Sequence, residues 1–315
     1  MGMLIDREAD GMSERICVFA GQGAQAPGMG KDLAADAEVA ALFDRANGVL
    51  GFDLAKLCFE GPAEELTKSN VCQPAIFVVS VAAFRAFQKR FPGVTFQMAG
   101  GLSLGEWTAL HVAGALGFEE TLRVLEARGR FMQEACEAQP SGMISVMGAS
   151  DAQLDEICAK AGIYKANINS DSQVVLSGAR GGIAQAEALC KEMGLRAIVL
   201  QVAGAFHSPL MASAREKLAG VLEGITFNAP DIPVLSNVTG APHSADPGAV
   251  KEAMLRQVTE SVRWLDCIRG AIAAGGQTFV EFGPGKVLSG LIKRISKDAA
   301  TLNVSDVATL EAITF

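Results

Sequence analysis

Apolar and polar residues alternate along this chain in two rhythms, and the rhythm changes twice. "ICVFAGQG" (16–23) is a continuous apolar run that stops at glycines, the pattern of a buried strand. "GKDLAADAEVAALFDRANGVL" (30–50) has apolar residues at helical spacing, with Gly48 near its end. "GPAEELTKSN" predicts a turn and a short helix, and "CQPAIFVVSVAAFRAFQKR" a mostly apolar helix beginning after Pro74. "FQMAGGLSLGEW" (96–107) reads as a short strand ending in glycines. Helices are predicted at "EWTALHVAGAL" and "EETLRVLEARGRFMQEA".

From residue 141 the elements shorten. "GMISVMGA" predicts a strand, and "DAQLDEICAKA" a helix capped by Ser150 or Asp151. "YKANINS" and "SQVVLSG" predict two strands joined at "SDS", "GIAQAEALCKEMG" a helix ended by Gly194, and "RAIVLQV" a strand. The order βαββαβ is the ferredoxin-like arrangement, so an inserted α+β domain is expected at 141–203. The earlier rhythm then resumes: helix "MASAREKLAGVLEGI", strand "IPVLSNVTG", helices "AVKEAMLRQVTE" and "SVRWLDCIRGAIAAGG", strand "TFVEFGPG", and a last helix "KVLSGLIKRI". Strands alternating with helices on both sides of the insertion predict an α/β domain from 15–140 and 204–315. Its mostly parallel, hydrolase-like sheet should carry helices on both faces. Residues 1–14, polar and acidic, read as a loosely ordered leader without the apolar core of a signal peptide.

Composition narrows the function classes. The chain has 315 residues, half of them apolar and a fifth charged, which suits a globular protein. The net charge of −8 argues against general binding to nucleic acid or to anionic lipid. The apolar runs are short and interrupted, so no bilayer span is expected. Seven cysteines, an odd number with no CxxC and no zinc spacing, suggest reduced thiols in the cytoplasm and no metal site.

The candidate chemistry centres on "GGLSLGEW" (100–107). Gly101, Ser103 and Gly105 make G-x-S-x-G between a strand and a helix, the nucleophile-elbow pattern. A serine nucleophile needs a base, and there are three histidines. His111 lies eight residues along the same predicted helix, roughly 12 Å away, too far for a hydrogen bond. His243 falls in the turn-rich "GAPHSADPG", which reads as a surface loop. His207, in "GAFHSPLM" at the end of the insertion, is left as the candidate base. One oxyanion donor is expected from the backbone N–H of Leu104, the residue after the nucleophile. The other is expected from the glycine-rich "AGQGAQ" loop centred on Gln22. That loop lacks the third glycine of a dinucleotide-binding fingerprint.

Taken together, "FAGQGAQAPGMGKDL", "GLSLGEWTAL", "RGRFMQEA", "NINSDSQVVLSG", "GAFHSPLM", "SNVTG", "SVRW" and "EFGPGKVLSGLIKRI" resemble the malonyl-CoA:acyl carrier protein transacylases of type II fatty acid synthesis, over roughly residues 15–310. The resemblance implies malonyl transfer from malonyl-CoA to acyl carrier protein by ping-pong covalent catalysis. Ser103 would be the nucleophile and His207 the base, with Gln22 and Leu104 as oxyanion donors and no metal or redox cofactor. It also implies that Arg128 binds the free carboxylate of malonyl. The pattern alone does not separate Arg128 from Arg123 or Arg130. Gln257 resembles the glutamine beside the catalytic histidine, and Phe206 the bulky neighbour that disfavours a branched acyl group. Leu102 departs from the family, which often has histidine before the nucleophile; substrate grip is expected to change, but not the chemistry.

Acyl carrier proteins are acidic, so docking would need a local basic patch. Lys286, Lys293 and Lys297 have spacings that place them near one face of the last predicted helix; a solvated helix face is the plainer reading. Three rival functions share these residues: a serine hydrolase, an acyltransferase serving a polyketide synthase, and a non-catalytic carrier-binding module. A monomer is expected, with no nucleic acid or membrane partner.

Overall fold

The computed structural model describes residues 14–314. The leader expected over 1–14 lies outside the described residues, apart from Glu14. The strands among the described residues are β1 (Arg15–Phe19), β2 (Met98–Gly101), β3 (Ser141–Met147), β4 (Tyr164–Ser170), β5 (Gln173–Ala179), β6 (Arg196–Val199), β7 (Thr278–Phe282) and β8 (Ala300–Val304). They form two sheets, in the orders β2-β1-β7-β8 and β4-β5-β3-β6.

The first sheet is parallel throughout. Its central strand β1 shows why "RICVF" is apolar at nearly every position. Successive side chains of a strand point to opposite faces, and both faces of this strand are covered. Ile16 and Val18 pack into the core that holds Trp264, Cys267 and Ile268 of helix Trp264–Ala273. Cys17 and Phe19 pack into the larger core that holds Phe77, Val81 and Phe84 of helix Ser69–Arg90. Phe19, Phe84, Phe87 and Phe282 meet ring to ring in this core.

The second sheet is antiparallel and has the strand order of a ferredoxin-like unit. Its alternation divides the labour of its faces. Ile144, Val146, Val174 and Leu176 pack under helices Asp151–Ala161 and Arg180–Glu192 through Leu154, Ile157, Ile183 and Cys190. Met143, Ser145, Asn169 and Val175 line a cleft that faces Ser103.

Four local readings need correction. Helix Ser69–Arg90 begins before Pro74 rather than after it. Pro74 lies inside the first turns, where its missing N–H leaves the Asn70 carbonyl without its helical donor and its ring crowds that carbonyl. The early start lays the Ser69 carbonyl over Gly129, where a Cβ would approach it to 2.3 Å. That same helix spans 22 residues and is apolar enough to cross a membrane by length and composition, contrary to expectation. It is instead a core helix, with 83% of its most apolar window buried inside the protein. "IPVLSNVTG" forms isolated bridges, Val234 to Ala99 and Leu235 to Pro242, rather than a strand of its own. Helix Val287–Ile295 is not the last element, because β8 and helix Val307–Glu311 follow it.

Candidate active site

The elbow is built by three backbone segments in near contact. β2 ends at Gly101, and helix Leu104–Val112 starts directly after Ser103. A Cβ at Gly101 would lie 2.0 Å from the backbone of Gly105, and one at Gly105 would lie 2.2 Å from the Phe19 carbonyl oxygen. Only glycine fits at either position, so the two glycines of the motif are fixed by packing. Between them Ser103 takes φ 56° and ψ −104°. Ser103 and His207 (φ 55°) are the non-glycine residues with positive φ among the described residues. Such strain persists only where the surroundings enforce it, and it collects at functional sites. Here Asn237 enforces it. Its Oδ1 accepts the Ser103 N–H at 2.7 Å, and its Nδ2 donates to the Gly101 carbonyl at 2.8 Å.

The Ser103 hydroxyl lies 2.8 Å from His207 Nε2. His207 Nδ1 lies 2.8 Å from the backbone carbonyl of Gln257. Gln257 caps the C-terminus of helix Pro247–Arg256, where carbonyls lack intrahelical donors. A carbonyl only accepts, so Nδ1 carries the proton and Nε2 presents its lone pair to the serine. The ring is thus set as a base without any carboxylate against Nδ1.

Arg128, on helix Phe118–Ala138, points its guanidinium at the same hydroxyl. Nη2 donates to Ser103 Oγ at 3.0 Å and to Gln257 Oε1 at 3.0 Å, and Nη1 donates to Gln73 Oε1 at 2.6 Å. The residue is 1% exposed, and its buried Nε has no partner among the described residues. Burial pulls the Arg128 pKa down to about 10, opposed by the Glu106 charge, so the side chain is still a cation at neutral pH. Arg130, by contrast, pairs with Glu126 on the surface, and Arg123 is exposed.

The cleft in front of Ser103 has a volume of about 600 Å³. Gln22, Leu102 and Phe206 line it together with Ser103 and His207. Gln22 donates from its side chain to Ser69 Oγ at 3.2 Å. Leu104 is the first residue of its helix, so its N–H has no intrahelical acceptor and can receive negative charge. Leu102 is half-buried and adds an apolar residue to the lining of the cleft.

Of the three lysines, one lies within helix Val287–Ile295. Lys286 caps the start of helix Val287–Ile295, Lys293 lies within it, and Lys297 lies beyond its end. All three are exposed, and Lys293 Nζ donates to the Lys297 carbonyl at 3.3 Å. Helix termination at Ile295 takes Lys297 off the helix on which the spacing placed all three. The helix itself does approach the cleft, through Val287 and Leu291.

Two histidines complete the inventory. His111 bonds the Leu116 carbonyl through Nδ1 at 2.9 Å and packs on Phe77, away from Ser103. His243 is not a surface residue: its side chain is 2% exposed and its Nε2 lies 2.6 Å from Glu106 Oε1. Sequence reasoning missed this pair, along with Gln73 and Asn237. Glu106 and Asn237 fall in stretches that match the family as blocks, "GLSLGEWTAL" and "SNVTG", whereas His243 and Gln73 fall in none of them.

The electrostatics of the site give a testable pH dependence. Burial, reinforced by the Arg128 charge and opposed by the bond to the Gln257 carbonyl, lowers the His207 pKa from 6.5 to about 4. Neutral His207 is the base, so it remains competent down to about pH 4. The acid limb of kcat/KM for acylation is expected well below pH 6; a limb near 6.5 would contradict this. Linkage has the same sign. The unfolded chain binds a proton between pH 6.5 and 4 that the folded one excludes. His207's contribution to stability is therefore complete above 6.5 and declines as pH falls toward 4, by on the order of 3 kcal/mol.

The family model for the acyl transferase domain matches residues 16–311. The malonyl CoA-acyl carrier protein transacylase of Bacillus subtilis (strain 168) is 40% identical over 307 residues, 95% of this chain and 96% of that protein. The crystal structure of an acyl carrier protein S-malonyltransferase from Vibrio cholerae O1 biovar eltor superposes with a TM-score of 0.91 at 40% identity, covering 96% of this chain and all of that one. A malonyl-transacylase solved in complex with its type II polyketide-synthase acyl-carrier protein superposes with a TM-score of 0.91 at 38% identity, covering 95% of this chain and 98% of that one. With the elbow, the histidine and the buried arginine in one fold, the chain belongs to the acyl transferase family and, within it, to the malonyl CoA-acyl carrier protein transacylases.

Proposed function

We infer that this protein transfers the malonyl group of malonyl-CoA to the phosphopantetheine thiol of acyl carrier protein, supplying fatty acid synthesis. The observation that carries this reading is the buried Arg128 guanidinium, 3.0 Å from the Ser103 hydroxyl. A free carboxylate on the acyl group can take two of its parallel N–H bonds, and an acyl chain without one leaves a buried cation facing methyl groups.

In the first half-reaction His207 Nε2 takes the Ser103 proton as Oγ attacks the thioester carbonyl. The oxyanion is received by the Leu104 and Gln22 backbone N–H groups. The C–S bond breaks, the His207 proton leaves with the CoA thiolate, and a malonyl-serine ester remains. In the second, the carrier thiol gives its proton to His207 and attacks the ester. The C–O bond breaks and the proton returns to Ser103. Thioester, serine and histidine suffice for both steps, so no metal or redox cofactor is required.

Phe206 beside His207 narrows the pocket against branched acyl groups. Lys286, Lys293 and Lys297, at the two ends of the helix that reaches the cleft, offer positive charge to an acidic carrier protein. We place the enzyme in the cytoplasm as a monomer. A hydrolase reading is weaker, because a cation held against the nucleophile selects a carboxylate-bearing acyl group.

Intact-mass spectrometry after brief mixing with malonyl-CoA or acetyl-CoA, followed by holo acyl carrier protein, tests the reading. Malonyl mass on the enzyme that moves to the carrier is the expected result. An adduct lost to water and not to the carrier would identify a hydrolase instead.

A further inference from the structure

Beneath the elbow lies a second buried pair of titratable groups, and neither lines the cleft. Glu106 is fully buried, the third residue of the helix that Ser103 caps. Its Oε1 accepts from His243 Nε2 at 2.6 Å and from the Asn237 N–H at 3.2 Å; its Oε2 accepts from Gln257 Nε2 at 2.5 Å. His243 is anchored by its backbone N–H to the Val234 carbonyl at 2.7 Å. Its loop therefore holds the imidazole against the carboxylate.

We propose that Glu106, held in place by His243, is the positioning residue that fixes the orientation of the Gln257 amide and through it aims Arg128 at the acyl pocket. Donor and acceptor counts fix this orientation. Gln257 Nε2 donates both to the Ser103 carbonyl at 2.9 Å and to Glu106 Oε2. Neither acceptor can donate, so the amide nitrogen must face them and Oε1 must face Arg128 Nη2. The opposite orientation would set two N–H donors against a guanidinium that has no acceptor. It would also set the amide oxygen against a carboxylate and a carbonyl. Glu106 also carries the negative charge that balances buried Arg128 through this amide. His243 matters because without it Oε1 retains only the longer bond from Asn237.

The inference rests on the malonyl reading and predicts a defect specific to the carboxylate of the acyl group. Single-turnover acylation is followed by intact mass with malonyl-CoA and with acetyl-CoA, for wild type, Glu106→Gln, His243→Ala and His243→Gln. Malonyl acylation should fall about tenfold further than acetyl acylation in Glu106→Gln and His243→Ala. His243→Gln, which restores an N–H donor, should recover most of the wild-type ratio. A purely structural role would lower both acylations together. An unchanged malonyl-to-acetyl ratio in folded His243→Ala overturns the inference while wild type still prefers malonyl. His243→Leu replaces that variant if it does not fold. Loss of malonyl preference in the wild type itself would overturn the functional reading, and this inference with it.

Discussion

Ser103→Ala should carry no malonyl mass after exposure to malonyl-CoA, and its transfer rate to carrier protein should fall by about 10⁴-fold to 10⁶-fold. The size follows from the mechanism. Covalent transfer has no alternative route when the attacking oxygen is gone, and only the oxyanion donors and the binding cleft remain to assist direct thiol attack. The fold should survive. Alanine keeps the Cβ, so the constraint at φ 56° is unchanged, and Asn237 still holds the backbone N–H. Arg128 Nη2 loses one acceptor but keeps Gln257 Oε1. The decisive pair of measurements is CoA release and melting temperature on the same preparation. Transfer within tenfold of wild type, at an unchanged melting temperature, would remove Ser103 from the chemistry.

Much of this site could be read locally, and the parts that could not share one cause. The elbow is legible because a strand, two glycines and a helix are consecutive. His207 is legible because the chain has so few histidines and one of them follows the inserted domain. Periodicity also reveals the insertion, since the small sheet is built from neighbouring segments. Contacts between distant segments are another matter. Gln257 reaches Ser103 across 154 positions, and His243 reaches Glu106 across 137. No local pattern encodes either. "GAPHSADPG" has turn composition, and turns are usually exposed; here a bridge between Leu235 and Pro242 folds the loop back so that the imidazole is buried. The same blindness hid the start of helix Ser69–Arg90, which depends on the space left by Gly129 on another helix.

Arg128→Ala should lower kcat/KM for malonyl-CoA by about 10² to 10⁴-fold and collapse the preference for malonyl over acetyl. Two charge-assisted hydrogen bonds to the carboxylate are lost, each worth about 1.5–3 kcal/mol. Arg128→Lys should recover only part of this. Lysine restores the charge as a single point and cannot present two parallel N–H groups while also satisfying Gln73 and Gln257. A second signature separates loss of carboxylate binding from simple damage to the pocket. The Arg128 charge is one of the causes that lower the His207 pKa. Its removal should move the acid limb of acetyl transfer upward, toward 6.5, in Arg128→Ala but not in Arg128→Lys, where the cation persists. Measuring kcat/KM against pH with both thioesters reads the two effects at once. If malonyl preference persists in Arg128→Ala, the carboxylate is held elsewhere. If preference is lost but the limb stays fixed, burial alone sets the histidine, and Arg128 acts on the substrate and not on the base.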